Sequence, residues 1–237
     1  MTAIWHDLEC GSYTADLPLW RMLAVEHGDP VLEIGAGTGR VAIDLARRGH
    51  RVTALDHDAE LLAELSRRAQ GLDLPTALAD ARSFELDQRF ALCLVPMQVI
   101  QLLGGLDARR GCLECARQHL DEGGVLAAAL TSRLEAYELP DGAPGLAPDM
   151  CEHDGVVYAS HPTAIRADGD GFVLERRRET VAPDGHRTVE ANVIKLDRVL
   201  PSELEREAAE AGLKPSGRAT IPPTKDYAGS EVVILRA

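Results

Sequence analysis

The stretch from Val31 to Arg40, V-L-E-I-G-A-G-T-G-R, constrains the fold more than any other part of this 237-residue chain. A short apolar run ends at three glycines, Gly35, Gly37 and Gly39. An apolar strand that enters a helix through such a turn presents free backbone N–H groups and the positive end of the helix dipole. Glycine also allows close backbone approach or a positive φ. The stretch therefore predicts a ligand-binding turn after the first strand of an α/β domain.

The spacing of the glycines tests which ligand the turn accepts. A nucleoside-triphosphate loop needs a Lys after its last glycine, and none follows here. The dinucleotide pattern G-x-G-x-x-G needs a third glycine at position 40, which is Arg40; the third glycine is Gly39 instead. Asp56 suits the ribose hydroxyls of any adenosine-containing ligand, so it does not distinguish a dinucleotide from other ligands of this kind. A dinucleotide oxidoreductase remains an outside alternative that rests on Gly35, Gly37 and Asp56.

Strands and helices alternate from residue 31 to residue 130, which predicts a parallel sheet covered by helices on both faces. The expected elements in order are a strand at 31–34, a helix at 40–48, a strand at 51–55, a helix at 59–70, strands at 76–79 and 90–95, a helix at 107–120 stopped by Asp-Glu-Gly-Gly, and a strand at 125–130. One or two helices are expected before residue 31.

The pattern changes after residue 132. Residues 139–149 are rich in Pro and Gly, which predicts a loop. Three alternating segments with turn signals between them follow at roughly 156–167, 172–181 and 187–200, and they predict a small antiparallel sheet. A helix from 201 to 211 and two strands near 214–221 and 231–236 complete the expected elements.

The acidic composition argues against nucleic-acid partners. The formal net charge is −13, whereas binding to a phosphate backbone needs clustered Lys and Arg. The basic runs at 47–48, 67–68 and 176–178 are short and have carboxylates nearby, which is typical of solvated faces. We expect a small-molecule substrate, no nucleic-acid or membrane partner, and a monomer or homodimer.

The start of the chain and the cysteines point to a cytoplasmic protein. The first residues lack the basic and apolar regions of a signal peptide, and no stretch approaches the ~20 apolar residues that span a bilayer. Five cysteines, an odd number, do not indicate a disulfide framework. Cys112 and Cys115 form C-x-x-C, but no second ligand pair follows and the surrounding helical pattern favours packing. No metal site is expected.

Further motifs follow the glycine turn in a fixed order, and with them the sequence resembles the class I S-adenosylmethionine-dependent methyltransferases. They are E-I-G-A-G-T-G at 33–39, A-L-D-H-D at 54–58, A-D-A at 79–81, F-A-L-C-L-V at 90–95, L-D-E-G-G-V-L at 120–126 and L-P-S-E-L…A-G-L at 200–213. Glu122 stands where the family has Pro. The resemblance covers nearly the whole chain. It implies a Rossmann-like, seven-stranded, mostly parallel sheet with helices on both faces, an antiparallel last strand and a small antiparallel β insertion.

The resemblance also implies a division of the chain into four regions. Residues 1–30 would form an N-terminal helical lid and residues 31–135 the cofactor-binding α/β core. Residues 136–200 would form a loop and an antiparallel β insertion that caps the substrate. Residues 201–237 would supply the helix and strand pair that complete the core sheet.

The cofactor implied by the resemblance is S-adenosyl-L-methionine, with S-adenosyl-L-homocysteine as its product. Its contacts would be Tyr13, Glu33, Gly35, Ala36, Gly37, Asp56, His57, Asp80, Ala81, Val95 and Pro96. Glu33 would help hold the amino group, Asp56 the ribose hydroxyls, and Asp80 the adenine amino group. For Tyr13 the alternative is a core aromatic, for His57 a surface turn, and for Asp80 a turn or helix cap.

Residues 95–101 follow the fourth strand of the predicted core. Ligands of open α/β sheets bind beyond the carboxyl ends of the strands, so this segment is expected beside the transferred methyl group. Met97, Gln98 and Gln101 are therefore candidate substrate contacts, although core packing explains Met97 equally well. The segment lacks the Asn/Asp-Pro-Pro-aromatic motif of many methyltransferases that act on nucleic acid or protein.

Methyl transfer needs an aligned nucleophile about 3–3.5 Å from the methyl carbon, and a base only where the nucleophile arrives protonated. Candidate catalytic residues are His6, Tyr13 and His161; a structural role is the alternative for each. The sequence predicts N- or O-methylation of a small molecule. The alternatives are a protein or nucleic-acid methyltransferase and a member of the fold that binds the cofactor without methyl transfer.

Overall fold

The computed structural model describes residues 2–131, 134–140, 147–225 and 227–237. The chain divides into two compact units. The larger comprises Tyr13–Arg133 and Val199–Ala237, and the smaller comprises Met1–Ser12 and Leu134–Arg198. The described part of the predicted loop at 139–149 contains residues 139–140 and 147–149, whereas residues 141–146 lie outside the description.

A seven-stranded sheet forms the centre of the larger unit. Its strands are β1 (Val31–Ile34), β2 (Val52–Asp56), β3 (Thr76–Leu78), β4 (Phe90–Val95), β5 (Leu120–Leu130), β11 (Lys214–Ile221) and β12 (Ser230–Arg236). They are ordered β11-β12-β5-β4-β1-β2-β3. β1, β2, β3, β4 and β5 pair in parallel, and β12 runs antiparallel to both β5 and β11. The predicted sheet, including its antiparallel last strand, is confirmed.

Helices cover both faces of this sheet. They are α2 (Leu17–His27), α3 (Arg40–Arg47), α4 (Ala59–Arg68), α5 (Val99–Leu102), α6 (Leu106–His119) and α7 (Pro201–Glu210). One buried apolar cluster joins α2, α3 and α4 to one side of the strands, and a second joins α6 and α7 to the other side. Strands buried on both faces need two such cores, which explains their continuous apolar sequences.

The smaller unit is built on an antiparallel sheet. It contains β6 (Tyr137–Glu138), β7 (Asp149–His153), β8 (Val156–Asp168), β9 (Gly171–Val181) and β10 (Arg187–Asp197). The strand order is β10-β9-β8-β6, and β7 also pairs with β8. The chain start contributes α1 (Thr2–His6) and a π-helical turn (Asp7–Gly11) to this unit. The antiparallel insertion is confirmed, whereas the short strands β6 and β7 were not predicted.

Helix α6 ends next to the Asp-Glu-Gly-Gly segment as predicted, but the segment itself lies inside strand β5, which was predicted to begin only at residue 125. The helix α6 ends at His119, and β5 begins at Leu120. The pairing of β4 with β5 shifts between Phe90 and Leu92, because the segment 121–124 bulges. A Cβ on Gly124 would lie 3.1 Å from the Phe90 carbonyl oxygen, so the bulge needs a glycine there.

None of the five cysteines forms a disulfide. The five cysteines are free thiols, and Cys93 and Cys112 are fully buried in the apolar cluster beside α6. Burial raises the pKa of the Cys112 thiol to about 12, so this cysteine serves as a packing residue in the core.

In the described segments no group of three or more His, Cys, Asp or Glu residues is arranged to hold a metal ion. No helix among them has the length and apolarity to cross a membrane.

Candidate functional site

Most of the predicted site residues lie at the carboxyl ends of β1, β2, β3 and β4 in the larger unit. β1 is paired with both β2 and β4, and Asp56 at the end of β2 is in register with Leu78 at the end of β3. The backbone continues this pairing, since the Ala79 N–H donates to the Asp56 carbonyl oxygen at 3.0 Å. The fold therefore brings three features to one edge of the sheet: the glycine turn, Asp56, and the turn at residues 80–83, which we call the Asp80 turn.

The glycine turn is held by hydrogen bonds within the protein. The N–H groups of Gly35 and Ala36 donate to the Leu55 carbonyl oxygen at 2.8 and 2.9 Å. The Gly37 N–H donates to Asp56 Oδ2 at 2.8 Å. These three donors are already used, so the turn does not form the ring of free N–H groups that cradles a phosphate.

The glycines instead allow close packing around the turn. Gly35, Gly37 and Gly39 have φ values of 74°, 56° and 90°, a region that side chains rarely adopt. A Cβ on Gly35 would lie 2.6 Å from Val99 Cγ2, and one on Gly39 would lie 2.7 Å from Leu65 Cγ. Both the backbone conformation and the neighbouring side chains therefore require glycine at these two positions.

Glu33 supplies a buried carboxyl group next to the turn. It is 2% exposed, and its Oε2 has no hydrogen-bond partner among the residues that the structure describes. Burial raises the pKa of Glu33 to about 8, against the attraction of Arg40 and a hydrogen bond from the Ala42 backbone. An unpaired buried carboxyl is costly, and the ammonium group of an amino acid is a suitable partner for it. This orphaned oxygen fits the methionine end of S-adenosylmethionine.

Asp56 links the glycine turn to the second strand. It is buried, and its Oδ2 accepts from Gly37 while its Oδ1 accepts from the Asp58 N–H at 3.0 Å. His57 Nδ1 lies 3.4 Å from Asp56 Oδ1, although the imidazole ring is largely exposed. A carboxylate has about four acceptor sites, so Asp56 retains capacity for the two hydroxyls of a ribose.

Asp80 is held by a residue that the sequence analysis missed. Its carboxylate forms a two-pronged ion pair with Arg82, whose Nε lies 2.9 Å from Oδ1 and whose Nη2 lies 2.5 Å from Oδ2. This ion pair lowers the pKa of Asp80 to about 2, and the nearby His57 lowers it further. Ala81 lies in the same turn. The signal available in the sequence was an arginine two residues after the aspartate in A-D-A-R.

Tyr13 is fixed against the start of helix α3. Arg40 Nη1 donates to the Tyr13 carbonyl oxygen at 2.9 Å, and the Arg40 guanidinium lies over the Tyr13 ring, 5.3 Å from its centre. The same guanidinium binds both oxygens of Asp16 at 2.5 and 2.7 Å. The guanidinium of Arg40 is therefore held by a carboxylate.

The Tyr13 hydroxyl is a second buried polar group without a partner in the described structure. The residue is 4% exposed, and its hydroxyl oxygen has no hydrogen bond to any residue that the structure describes. Burial raises the pKa of Tyr13, and Asp16 raises it further. The ring packs on Tyr227 with the ring centres 4.8 Å apart. Tyr13 thus combines the core packing considered as an alternative with a hydroxyl that lacks a protein partner.

The segment after β4 is tied to the end of β5. Met97 has a positive φ of 53°, and Val95 and Pro96 before it are buried. Gln98 Nε2 donates to Thr131 Oγ1 at 2.9 Å. Gln101 Nε2 donates to the Thr131 carbonyl oxygen at 3.1 Å, and Gln101 Oε1 accepts from the Thr131 N–H at 2.7 Å.

These contacts favour different roles for the two glutamines. Gln101 is 1% exposed, and its amide is occupied by the Thr131 backbone. We therefore assign it a positioning role in place of substrate contact. Gln98 and Met97 are half-buried, and they remain candidate substrate contacts. The strained backbone of Met97 is of the kind that accumulates at functional sites.

His6 and His161 lie in the smaller unit, unlike the other predicted site residues. His6 ends α1, with its Nδ1 3.8 Å from Asp7 Oδ1. His161 lies on β8, with its Nε2 3.8 Å from Glu179 Oε2. Each histidine has a carboxylate neighbour within its own unit, and their catalytic role stays a prediction.

Comparisons with known proteins agree with the motifs of the larger unit. Residues 31–124 match the family model described as a methyltransferase domain. A ribosomal RNA small subunit methyltransferase A from Deinococcus radiodurans is 43% identical over 58 residues, which are 24% of this chain and 20% of that protein. The matched segments span 20%, 23% and 58% of the length of three curated relatives, a ribosomal RNA methyltransferase of this kind among them.

Solved structures match over almost the entire chain. The CcbJ methyltransferase from Streptomyces caelestis has a TM-score of 0.71 at 22% identity, covering 96% of this chain and 97% of the other. The sugar N-methyltransferase KedS8 from Streptoalloteichus has a TM-score of 0.75 at 17% identity, covering 100% of this chain and 93% of the other. The chain therefore has the fold of these methyltransferases, and its residues 31–124 match the methyltransferase-domain family model.

Proposed function

We propose that this protein binds S-adenosylmethionine at the strand ends of its larger unit and methylates an amino or hydroxyl group of a small molecule. The observation that carries the proposal is the orphaned Oε2 of Glu33 beside a turn whose N–H groups are already used. A phosphate ligand needs free donors, whereas an amino-acid ligand brings an ammonium group that satisfies a buried carboxyl. The arrangement favours the second kind of ligand.

The remaining cofactor contacts follow from the strand ends. Asp56 would accept from the ribose hydroxyls, Asp80 from the adenine amino group, and the backbone at Ala81 would contact the adenine ring. His57 would lie against the adenine. Val95 and Pro96, buried at the end of β4, would line the site next to the transferred methyl group. Gly35, Ala36 and Gly37 would line the methionine portion.

The bound cofactor supplies a methyl sulfonium that reacts by in-line displacement at carbon. The protein's contribution is alignment of the acceptor and exclusion of water. Met97 and Gln98 are our proposed acceptor contacts in the larger unit. Tyr13, through its buried hydroxyl, is our proposed polar contact near the reacting atoms. His6 and His161 remain the candidate bases for an acceptor that arrives protonated.

Two observations support a small-molecule acceptor. The net charge of −13 disfavours the phosphate backbone of a nucleic acid. The sugar N-methyltransferase KedS8 matches this chain over 100% of its length. An amine or hydroxyl on a sugar-like metabolite is therefore the acceptor class that we propose. The match to a ribosomal RNA methyltransferase is short, and it keeps nucleic acid as the second candidate to be tested.

Calorimetric titration tests the cofactor. We expect micromolar binding of S-adenosylhomocysteine and no binding of NAD(H) or NADP(H); the reverse pattern would overturn the proposal. Transfer of a labelled methyl group from S-adenosylmethionine is then measured with a panel of amino sugars, simple amines and hydroxylated metabolites, beside ribosomal RNA and protein. Labelling confined to RNA or protein would overturn the proposed acceptor class. Binding without transfer to any acceptor would indicate a cofactor-binding protein without this activity.

A further inference from the structure

The Asp80 turn carries a second charged residue with the geometry to control adenine recognition. The Asp80 carboxylate receives three N–H groups from Arg82. They are the backbone N–H at 2.9 Å, Nε shared between the two oxygens at 2.9 and 3.1 Å, and Nη2 at 2.5 Å. An ionised carboxylate offers about four acceptor sites. The three N–H groups of Arg82 occupy most of this capacity, so Arg82 determines from which side a ligand can still donate to Asp80.

The backbone of this turn is itself fixed by helix α6. The Ser83 N–H donates to the Asp80 carbonyl oxygen at 3.0 Å, which closes the turn. On the other side, a Cβ on Gly111 would lie 2.7 Å from the Arg82 carbonyl oxygen. The helix thus approaches the turn closely because it has a glycine there. With the backbone held, the Arg82 side chain sets the orientation of the Asp80 carboxylate.

The turn also lies next to the proposed ribose contact. The Ala79 N–H bonds to the Asp56 carbonyl oxygen, and His57 is close enough to act electrostatically on Asp80. A group that binds between Asp56 and Asp80 spans the ends of two adjacent strands, which are about 4.8 Å apart. This spacing suits a nucleoside with its ribose at one strand and its base at the next.

We propose that Arg82 is a positioning residue that orients Asp80 to accept a hydrogen bond from the exocyclic amino group of adenine. Arg82 does not itself contact the base in this account. The ion pair fixes which side of the Asp80 carboxylate stays open to the ligand. The proposal rests on the proposed cofactor function, and it assigns the recognition of the adenine amino group to an Asp–Arg pair.

The test compares two ligands that differ at the position that Asp80 would read. S-adenosylhomocysteine carries an amino group there, and S-inosylhomocysteine carries a carbonyl oxygen, which cannot donate. For the unmodified protein we expect calorimetry to give at least tenfold tighter binding of S-adenosylhomocysteine. For Arg82→Ala we expect this ratio to fall at least threefold while the affinity for S-inosylhomocysteine changes by less than twofold. Arg82→Lys should restore part of the ratio.

A matched control separates this role from loss of any surface ion pair. Arg67 forms the same two-pronged contact with Glu64 on helix α4 and is exposed, so Arg67→Ala should leave the ratio unchanged. Arg82→Ala combined with Asp80→Ala should lower the ratio no further than Asp80→Ala alone. Thermal unfolding of each variant confirms that it folds; the Arg82 side chain is 53% exposed, so its removal leaves no cavity.

The outcomes distinguish the two proposals. Absence of S-adenosylhomocysteine binding to the unmodified protein would overturn the proposed function and, with it, the role of Arg82. Binding of both ligands with equal affinity would overturn adenine recognition by Asp80 and Arg82 but leave the cofactor proposal standing. An unchanged ratio in Arg82→Ala, with the unmodified protein discriminating, would overturn the role of Arg82 alone.

Discussion

The two ends of the candidate cofactor site use carboxyl groups in opposite ways. At the glycine turn, Glu33 is buried, has one oxygen without a partner in the described part of the chain, and has its pKa raised to about 8 by burial. At the other end, Asp80 is partly exposed and paired with Arg82, which lowers its pKa to about 2. Glu33 needs a partner that the ligand would bring, whereas Asp80 is oriented before the ligand arrives. The comparison predicts that the amino-acid end is the more sensitive to pH.

The largest expected effect concerns Glu33 and the stability of the folded protein. A carboxyl group whose pKa is raised from 4.5 to about 8 on folding contributes no penalty below pH 4.5, where it is protonated in both states. Between pH 4.5 and pH 8 the unfolded state releases its proton first, so the free energy of unfolding falls as pH rises, by a few kcal/mol in total. Glu33→Gln should remove this loss.

Denaturant unfolding of the two proteins from pH 5 to pH 8.5 measures this effect. The difference in the free energy of unfolding, unmodified protein minus Glu33→Gln, should decrease steadily over this range. A difference that stays constant would mean that Glu33 is already ionised in the folded state, and the contrast between the two ends of the site would disappear.

The next effect concerns Asp56, which joins the two ends. Asp56→Ala removes the proposed ribose acceptors and the bond to the Gly37 N–H. We expect the affinity for S-adenosylhomocysteine to fall by about 1.5–3 kcal/mol, roughly 10- to 150-fold, on the scale of hydrogen bonds to charged groups. Asp58→Ala is the control, because the side chain of Asp58 caps helix α4 through the N–H groups of Glu60 and Leu61, and the substitution keeps the backbone N–H that donates to Asp56.

The control variant should change the stability of the protein and leave its affinity for S-adenosylhomocysteine unaltered. Asp58→Ala should lower the free energy of unfolding by about 1 kcal/mol and leave the affinity unchanged. An affinity that Asp56→Ala does not alter would remove the ribose assignment.

A smaller effect is expected for stability at the glycine turn. Gly35 and Gly49 both have positive φ values, but a Cβ on Gly35 meets Val99, whereas one on Gly49 meets nothing within 4 Å. Gly49→Ala should therefore cost only backbone strain, and Gly35→Ala about 1–2 kcal/mol more, on the scale of overpacking. Chemical denaturation measures both. Equal losses would show that close packing of α5 does not require Gly35.

The smallest expected effect belongs to His57. Its ring is 82% exposed and its Nδ1 lies near Asp56 Oδ1. An exposed contact of this kind is worth less than about 1 kcal/mol. His57→Ala should change the affinity for S-adenosylhomocysteine by less than about fivefold, as measured by calorimetry. A larger loss would show that His57 is a main contact of the adenine and not a peripheral one.

The larger unit was predicted well because its signals are local. Apolar runs marked the core strands within a few residues, and the glycine turn and Asp56 lie at the sheet edge where parallel strands place them. The error at β5 arose because the glycines at 123–124, which usually mark an interruption, here permit a bulge inside a strand.

The features that the sequence did not predict depend on pairs that are far apart in the chain. Glu9 binds Arg178, 169 residues away, and accepts from the buried Ser160. Trp5 packs edge-to-face on Tyr158. These contacts place the chain start in the smaller unit, and no periodicity or motif encodes such a pairing. The Asp80–Arg82 pair was missed for another reason, since two neighbouring opposite charges usually remain solvated independently.

The most direct test of the central claim is the affinity of this protein for S-adenosylhomocysteine and for the same molecule without its α-amino group. If the ammonium group satisfies Glu33, calorimetry at pH 7 should show at least tenfold weaker binding of the deaminated ligand to the unmodified protein. The two ligands should bind Glu33→Gln with affinities within threefold of each other. Equal affinities in the unmodified protein would contradict the account, because the orphaned carboxyl of Glu33 would then have no part in holding the cofactor.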